Sequence, residues 1–187
     1  MSYAHSNAGI VIIGAGMAGS RFAIELARAQ QQSKSPNNQR PLPITLISKE
    51  PEVGYNRIML SPVLASEKTI EQIMLNGEQW YIDNGITLHK GKKVEQINRA
   101  RREVIATDGT VAAYDRLIIA TGSVPFMLPL PGADKVGVIG FRDIKDVDTM
   151  LNTASRYQHA VVIGGGLLGL EAANGLMKQG MNVTVVH

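Results

Sequence analysis

The segment Gly9-Ile-Val-Ile-Ile13 is a short, nearly continuous apolar run rich in β-branched side chains. Such a run suits a central strand of a parallel sheet, buried on both faces. From Met17 to Ala29 the spacing turns helical, with Phe22, Leu26 and Ala29 on one stripe and Arg21, Glu25 and Arg28 off it. Residues 31–43 are polar and carry Pro36, Pro41 and Pro43, which predicts an exposed loop. Pro43–Ser48 is a second buried-strand candidate, and helices are predicted around Thr69–Leu75 and Glu78–Asp83.

From Ile86 the texture changes to short strands, predicted at 86–88, 93–98, 102–107 and 111–120. They read as a small antiparallel insert, with Asp108-Gly109 as a hairpin turn, ending in the apolar run Tyr114–Ala120. Pro125, Pro129 and Pro131 then break regular structure before a helix expected from Asp143 to about Tyr157. After it the opening pattern returns: strand Ala160–Ile163, a glycine turn, helix Leu167–Gln179, strand Asn182–Val186. This repeat of strand, glycine turn, helix and strand is the main organisational fact in the chain.

Length allows one domain or one and a half, since 187 residues fall within the usual range of about 100–200 per domain. With 44% hydrophobic and 19% charged residues, the composition is that of a globular protein with a real core. There is no cysteine, which excludes a disulfide framework, a thiolate metal site, a cluster held by this segment and a catalytic dithiol. No metal site is expected. The net charge of +3 is scattered, apart from His89–Lys93 and Arg99–Arg102, which read as solvated turns. Nucleic-acid binding would need a basic face with a reading element, and none is visible. No apolar run approaches the roughly 20 residues of a membrane span. Met1–Ala8 is polar and lacks a signal-peptide core, so the cytoplasm is the expected location.

Gly14-Ala15-Gly16-Met17-Ala18-Gly19 fits G-x-G-x-x-G directly after a strand and at the start of a helix. The spacing has a steric and electrostatic reason. Gly14 permits a tight turn, Gly16 lets a pyrophosphate approach the backbone, and Gly19 lets helix and strand pack closely. Free N–H groups at the helix start then face the phosphate charge. A purely structural turn is the alternative; the strand–turn–helix context favours the dinucleotide reading. The expected partner is an acid after the second strand, accepting from ribose hydroxyls, and the Lys49-Glu50 pair stands there. Glu50 could also be a surface glutamate without a role. Gly164-Gly165-Gly166-Leu167-Leu168-Gly169 repeats the pattern, with Glu171 inside the first helical turn. Two such loops suit an enzyme that keeps one dinucleotide and exchanges another.

GAGMAG at 14–19, GYNRIMLSPVLA at 54–65, YDRLIIATGS at 114–123 and GGGLLGLEAANGL at 164–176 together resemble the FAD-dependent pyridine-nucleotide oxidoreductases. Within them the chain looks most like the N-terminal flavoprotein segment of the NAD(P)H nitrite reductase large subunit. The resemblance runs from Ile10 to His187. It implies an α/β fold: a Rossmann-like FAD-binding domain over 1–143 with a small antiparallel β insert, then the start of a Rossmann-like NAD(P)-binding unit over 144–187. The second unit is expected to be truncated, and the 187-residue chain to be inactive alone as a diaphorase.

The resemblance also assigns roles. Arg57 would face the flavin pyrophosphate, Val94 would supply backbone contacts to adenine, and Ala120, Thr121 and Gly122 would meet FAD phosphate and ribose. Loop 164–169 would take the nicotinamide-nucleotide pyrophosphate, with Glu171 near its ribose or amide. The adenosine ribose is expected to be read roughly 20 residues past the glycines, at His187 or just beyond it. An acid there would repel a 2′-phosphate and histidine does not; the resemblance favours NADH. Pro62 and Phe126 replace cations found in the ferredoxin- and rubredoxin-reductase branch, in agreement with the nitrite-reductase branch. Electrons would pass to a downstream acceptor, an iron–sulfur and sirohaem centre in a later domain, or a small redox protein. A stand-alone reductase and a non-catalytic flavin module are the alternatives.

Overall fold

The computed structural model describes residues 8–32 and 41–187. The chain begins with β1 (Ile10–Ile13), α1 (Met17–Gln32) and β2 (Ile44–Ile47). A 3-10 turn at Arg57–Met59 leads into α2 (Leu60–Leu64), α3 (Ile70–Ile73) and α4 (Glu78–Asp83). Five strands follow: β3 (Ile86–His89), β4 (Val94–Asn98), β5 (Glu103–Ala106), β6 (Val111–Ala113) and β7 (Arg116–Ile119). The last elements are α5 (Ile144–Ala154), β8 (His159–Ile163), α6 (Leu167–Lys178) and β9 (Asn182–Val186). They gather into two compact units, one built from residues up to 55 with 74–122, the other from 56–73 with 123–187. No helix among the described residues is long and apolar enough to cross a membrane.

The first unit centres on a parallel sheet of order β3-β2-β1-β7. All four residues of β1 are buried, as its unbroken apolar run requires. Its side chains alternate between two cores. Ile10 and Ile12 join Ala23, Ala27, Leu46 and Tyr81 on the α1 side. Val11 and Ile13 join Val104, with Val94, Ala112 and Tyr114, on the side of an antiparallel sheet β4-β5-β6. Truncating a fully buried side chain such as Ile12 would cost about 2–5 kcal/mol.

The structure corrects four expectations in this unit. The buried stripe of α1 is Gly19, Ser20, Ala23, Ile24 and Ala27; of the expected stripe Leu26 packs against the core, while Phe22, 41% exposed, and Ala29 face solvent. At Gly19 itself a Cβ would fall 1.8 Å from the Gly14 oxygen, so the inward face there cannot carry a side chain. Helix α1 also runs on to Gln32, past the predicted loop start at 31, and residues 33–40 of that loop lie outside the described residues. Strand β3 belongs to the parallel sheet, in register Ile44↔Ile86 with β2, and not to the antiparallel insert. Finally, the run 111–120 is two strands. Asp115 accepts from Gly9 N–H at 3.0 Å and its own N–H donates to the Gly9 carbonyl at 2.8 Å. At that point the chain leaves β5 and begins to pair with β1. The Asp108-Gly109 hairpin stands as expected, with Gly109 at φ +83° and Thr110 N–H bonded to the Asp108 carboxylate.

In the second unit β8 and β9 pair in parallel, His159↔Asn182 to Ile163↔Val186, with α6 as their crossover. Asp143 caps α5 in a reciprocal box with Asp146, which satisfies two N–H groups of the helix start. That helix ends at Ala154, three residues short of expectation. Likewise α3 is a single turn, Ile70–Ile73, where Thr69–Leu75 was expected. Helix α6 buries Ala172, Ala173, Gly175 and Leu176, and a Cβ on Gly175 would stand 2.7 Å from Leu64 Cγ of α2. A side chain at 175 would therefore have to displace Leu64.

Candidate dinucleotide-binding sites

Each unit contains one strand–glycine–helix turn, and the two turns share one geometry. Gly14 takes φ +105° and Gly164 φ +116°, backbone conformations that glycine alone adopts readily. Gly14 N–H donates to the Ile47 carbonyl at 2.7 Å, and Gly164 N–H to Val186 at 2.8 Å, so each turn is tied to the end of its neighbouring strand. A Cβ on Gly19 would fall 1.8 Å from the Gly14 oxygen, and one on Gly169 would fall 1.9 Å from the Gly164 oxygen. Gly19 and Gly169 are thus demanded by space.

The helix starts match as well. Ser20 N–H donates to Gly16 at 2.9 Å and Leu170 N–H to Gly166 at 3.0 Å, the first helical bonds of α1 and α6. Met17, Ala18 and Gly19, like Leu167, Leu168 and Gly169, have no carbonyl one turn behind them in the helix. Their N–H groups and the helix dipole form a positive cradle without a charged side chain. Met17, Ala18, Leu167 and Leu168 are exposed, so the cradle opens to solvent. A pyrophosphate fits such a cradle.

Of the further predicted residues in the first unit, those at 120–121 meet this glycine loop directly. A Cβ on Gly14 would meet the Ala120 oxygen at 2.2 Å and Thr121 Cα at 3.1 Å, so the 120–122 turn packs against the glycine loop. Ala120 N–H extends the sheet to the Ile13 carbonyl at 2.8 Å, and Gly122 turns the chain at φ +70°. Glu50 follows β2, half-buried, with Oε2 accepting from the Tyr55 hydroxyl at 2.7 Å. Its carbonyl accepts from Gly91 N–H at 3.0 Å, while Lys49 is exposed. Val94 opens β4 opposite Ala106, next to a bulge, with its side chain in the core.

In the second unit Arg57 donates from Nη1 to the Arg142 carbonyl at 3.0 Å. Arg142 in turn donates to Ser123 Oγ at 2.8 Å, so two guanidinium groups are organised together. Glu171 accepts from Ser61 Oγ at 2.6 Å, and His187 Nδ1 accepts weakly from Gly165 N–H at 3.4 Å. The sequence pattern does not single out Tyr55, Ser61 or Arg142. Tyr55 and Ser61 sit in the quoted run 54–65, where composition says nothing about which carboxylate each would meet.

Two strand–glycine–helix units of one geometry, the first carried by a four-stranded parallel sheet, define a Rossmann-like α/β fold. A family model described as pyridine nucleotide-disulphide oxidoreductase matches residues 8–187, and the chain belongs to that family. The NAD(P)H nitrite reductase of Bacillus subtilis (strain 168) is 47% identical over 95% of this chain and 21% of its own length. The assimilatory nitrate reductase electron transfer subunit of the same organism is 46% identical over 95% of this chain and 22% of its own. Among solved structures, NADH:rubredoxin oxidoreductase from Clostridium acetobutylicum matches with a TM-score of 0.80 at 27% identity, covering 95% of this chain and 43% of that one. The chain therefore spans about a fifth of the length of these curated relatives.

Proposed function

We propose that the chain forms the FAD-binding part and the opening of the NAD(P)H-binding part of a cytoplasmic flavoprotein reductase that supplies electrons for nitrite reduction. The observation that carries this is the duplicated glycine-turn geometry, one cradle for each dinucleotide. Bound FAD would accept a hydride from reduced nicotinamide and release electrons to an acceptor. The chain's own residues bind and orient. The N–H groups of Gly16–Gly19 hold the FAD pyrophosphate, Glu50 takes the ribose with Lys49 beside it, and Val94 and Ala120–Gly122 line the same nucleotide. Gly164–Gly169 take the nicotinamide-nucleotide pyrophosphate, with Glu171 and His187 toward its riboses. The role of Arg57 in flavin binding rests on the resemblance alone. We keep the boundary between the two nucleotide-binding parts at 143/144, just ahead of α5, as a proposal from the sequence pattern; the compact units change over at 122/123 and include 56–73 in the second.

With no cysteine in the chain, an iron–sulfur and sirohaem acceptor would be held elsewhere. The similarity to a rubredoxin oxidoreductase favours a second reading, a reductase that feeds a small redox protein. Identities of 47% and 46% to nitrite and nitrate reductase components favour the first. The second cradle argues against a flavin module without turnover, which needs no nicotinamide site. The test is NADH-dependent consumption of nitrite by the natural full-length protein. Nitrite loss in proportion to NADH supports the reading; reduction of rubredoxin or ferredoxin without nitrite loss overturns it in favour of the second.

A further inference from the structure

The Ala15 carbonyl accepts two hydrogen bonds from inside the first unit, from Ser20 Oγ at 2.9 Å and from Gly54 N–H at 2.9 Å. Ser20 is fully buried, so water cannot take over its bond. Gly54 has φ +54°, and a Cβ there would stand 2.5 Å from Tyr81 Oη and 2.9 Å from Ser20 Oγ. Only glycine fits at that position. Tyr81 is fully buried behind the pair, and its hydroxyl finds no partner of hydrogen-bond geometry among the described residues.

A trans peptide is planar, so a carbonyl oxygen and the following N–H point in opposite directions. With the Ala15 oxygen held inward, Gly16 N–H is turned outward at the start of α1. We propose that Ser20 and Gly54 are positioning residues, which lock the Ala15–Gly16 peptide so that its N–H meets the FAD pyrophosphate. This rests on the FAD reading above. Glycine at 16 leaves that peptide free to flip, because little opposes rotation about its φ. A flipped peptide presents a carbonyl oxygen to the phosphate and turns attraction into repulsion. In the second turn the place of Ser20 is taken by Leu170, 53% exposed and without a hydroxyl. The locked turn suits a resident cofactor, and the unlocked one suits a nucleotide that comes and goes.

The test compares Ser20→Cys and Ser20→Ala with the unsubstituted natural full-length protein. Cysteine nearly keeps the volume of serine but is a weak donor. In both variants the FAD Kd should rise about tenfold, about 1.4 kcal/mol. The 31P resonances of the bound pyrophosphate should shift, while the apoprotein melting temperature of Ser20→Cys stays unchanged. If the unsubstituted protein binds no FAD, the FAD reading and this inference fall together. If it binds FAD and both variants match it in Kd and 31P shifts, the inference alone falls. A loss of affinity explained by a lowered apoprotein melting temperature, with unshifted 31P resonances, would also overturn it.

Discussion

Replacing Gly19 by alanine probes whether the close approach of α1 to β1 makes the first turn a dinucleotide cradle. Gly19 has no positive φ, so alanine brings no backbone strain there. Helix propensity alone would favour the change by roughly 1 kcal/mol. Against it, the new methyl carbon would lie 1.8 Å from the Gly14 oxygen and 3.3 Å from Ala120 Cβ. The nearer obstacle is backbone, so α1 must retreat by well over 1 Å to reach the 3.4 Å of ordinary contact. Overpacking of this kind costs about 1–3 kcal/mol. For a chain of this size each kcal/mol lowers the melting temperature by roughly 2–4 °C. The ligand suffers more than the fold, because N–H donors act on an oxygen only within about 2.7–3.2 Å. The FAD Kd should rise about 100-fold, about 2.7 kcal/mol. Flavin-fluorescence titration, at a temperature where circular dichroism shows the variant folded, measures this. A folded Gly19→Ala protein with an unchanged FAD Kd would refute the argument from close approach.

Tyr55→Phe removes the hydroxyl that holds Glu50 at 2.7 Å, and should weaken FAD binding about three- to tenfold by titration, in line with the loss of about 1 kcal/mol for one hydrogen bond. Burial pushes the Tyr81 phenol above its usual range, against the opposing influence of Ser20 and Asn76. Stability should therefore hold below the unfolded pKa of about 10 and fall as pH rises beyond it, and Tyr81→Phe should abolish that alkaline loss in melts at stepped pH. The Lys92 ammonium and Thr110 hold the Asp108 carboxyl well below its usual range. Its contribution is present above the unfolded pKa of about 3.9 and is lost as pH falls, so the difference in melting temperature between Asp108→Asn and the parent should shrink toward acid. Steady-state kinetics should show a higher kcat/KM for NADH than for NADPH; a tenfold preference for NADPH would show that His187 reads a 2′-phosphate.

Both glycine turns were legible because a β-branched run followed by G-x-G-x-x-G and a helix has few other solutions. Elements with local signals also came through: Glu78–Asp83 and Asn182–Val186 have the bounds their patterns predict. Partner choice was not legible. Nothing in Ile86–His89 says that it pairs in parallel with β2, because that pairing depends on residues 42 positions away. The helical stripe of α1 misled because pattern reading ranks large apolar residues as core. At Gly19 the distance to β1 decides instead, and Ala23 and Ala27 face inward. Ser20, bonded to the Ala15 carbonyl, and Tyr55, bonded to Glu50, are not singled out by the sequence pattern, since their partners are set by what the fold places beside them.

The central claim is that one cradle holds FAD and the other brings a reduced nicotinamide to it. The most direct measurement mixes the natural full-length protein, reconstituted with FAD, with NADH in the absence of oxygen and follows the visible absorbance of the flavin. The account predicts stoichiometric FAD binding and bleaching of that absorbance on mixing, with FAD binding weakened about 100-fold in Gly19→Ala and the bleaching, but not FAD binding, impaired when Gly169 is replaced by alanine. A protein that takes up no FAD, or bound FAD that neither NADH nor NADPH bleaches, would contradict it.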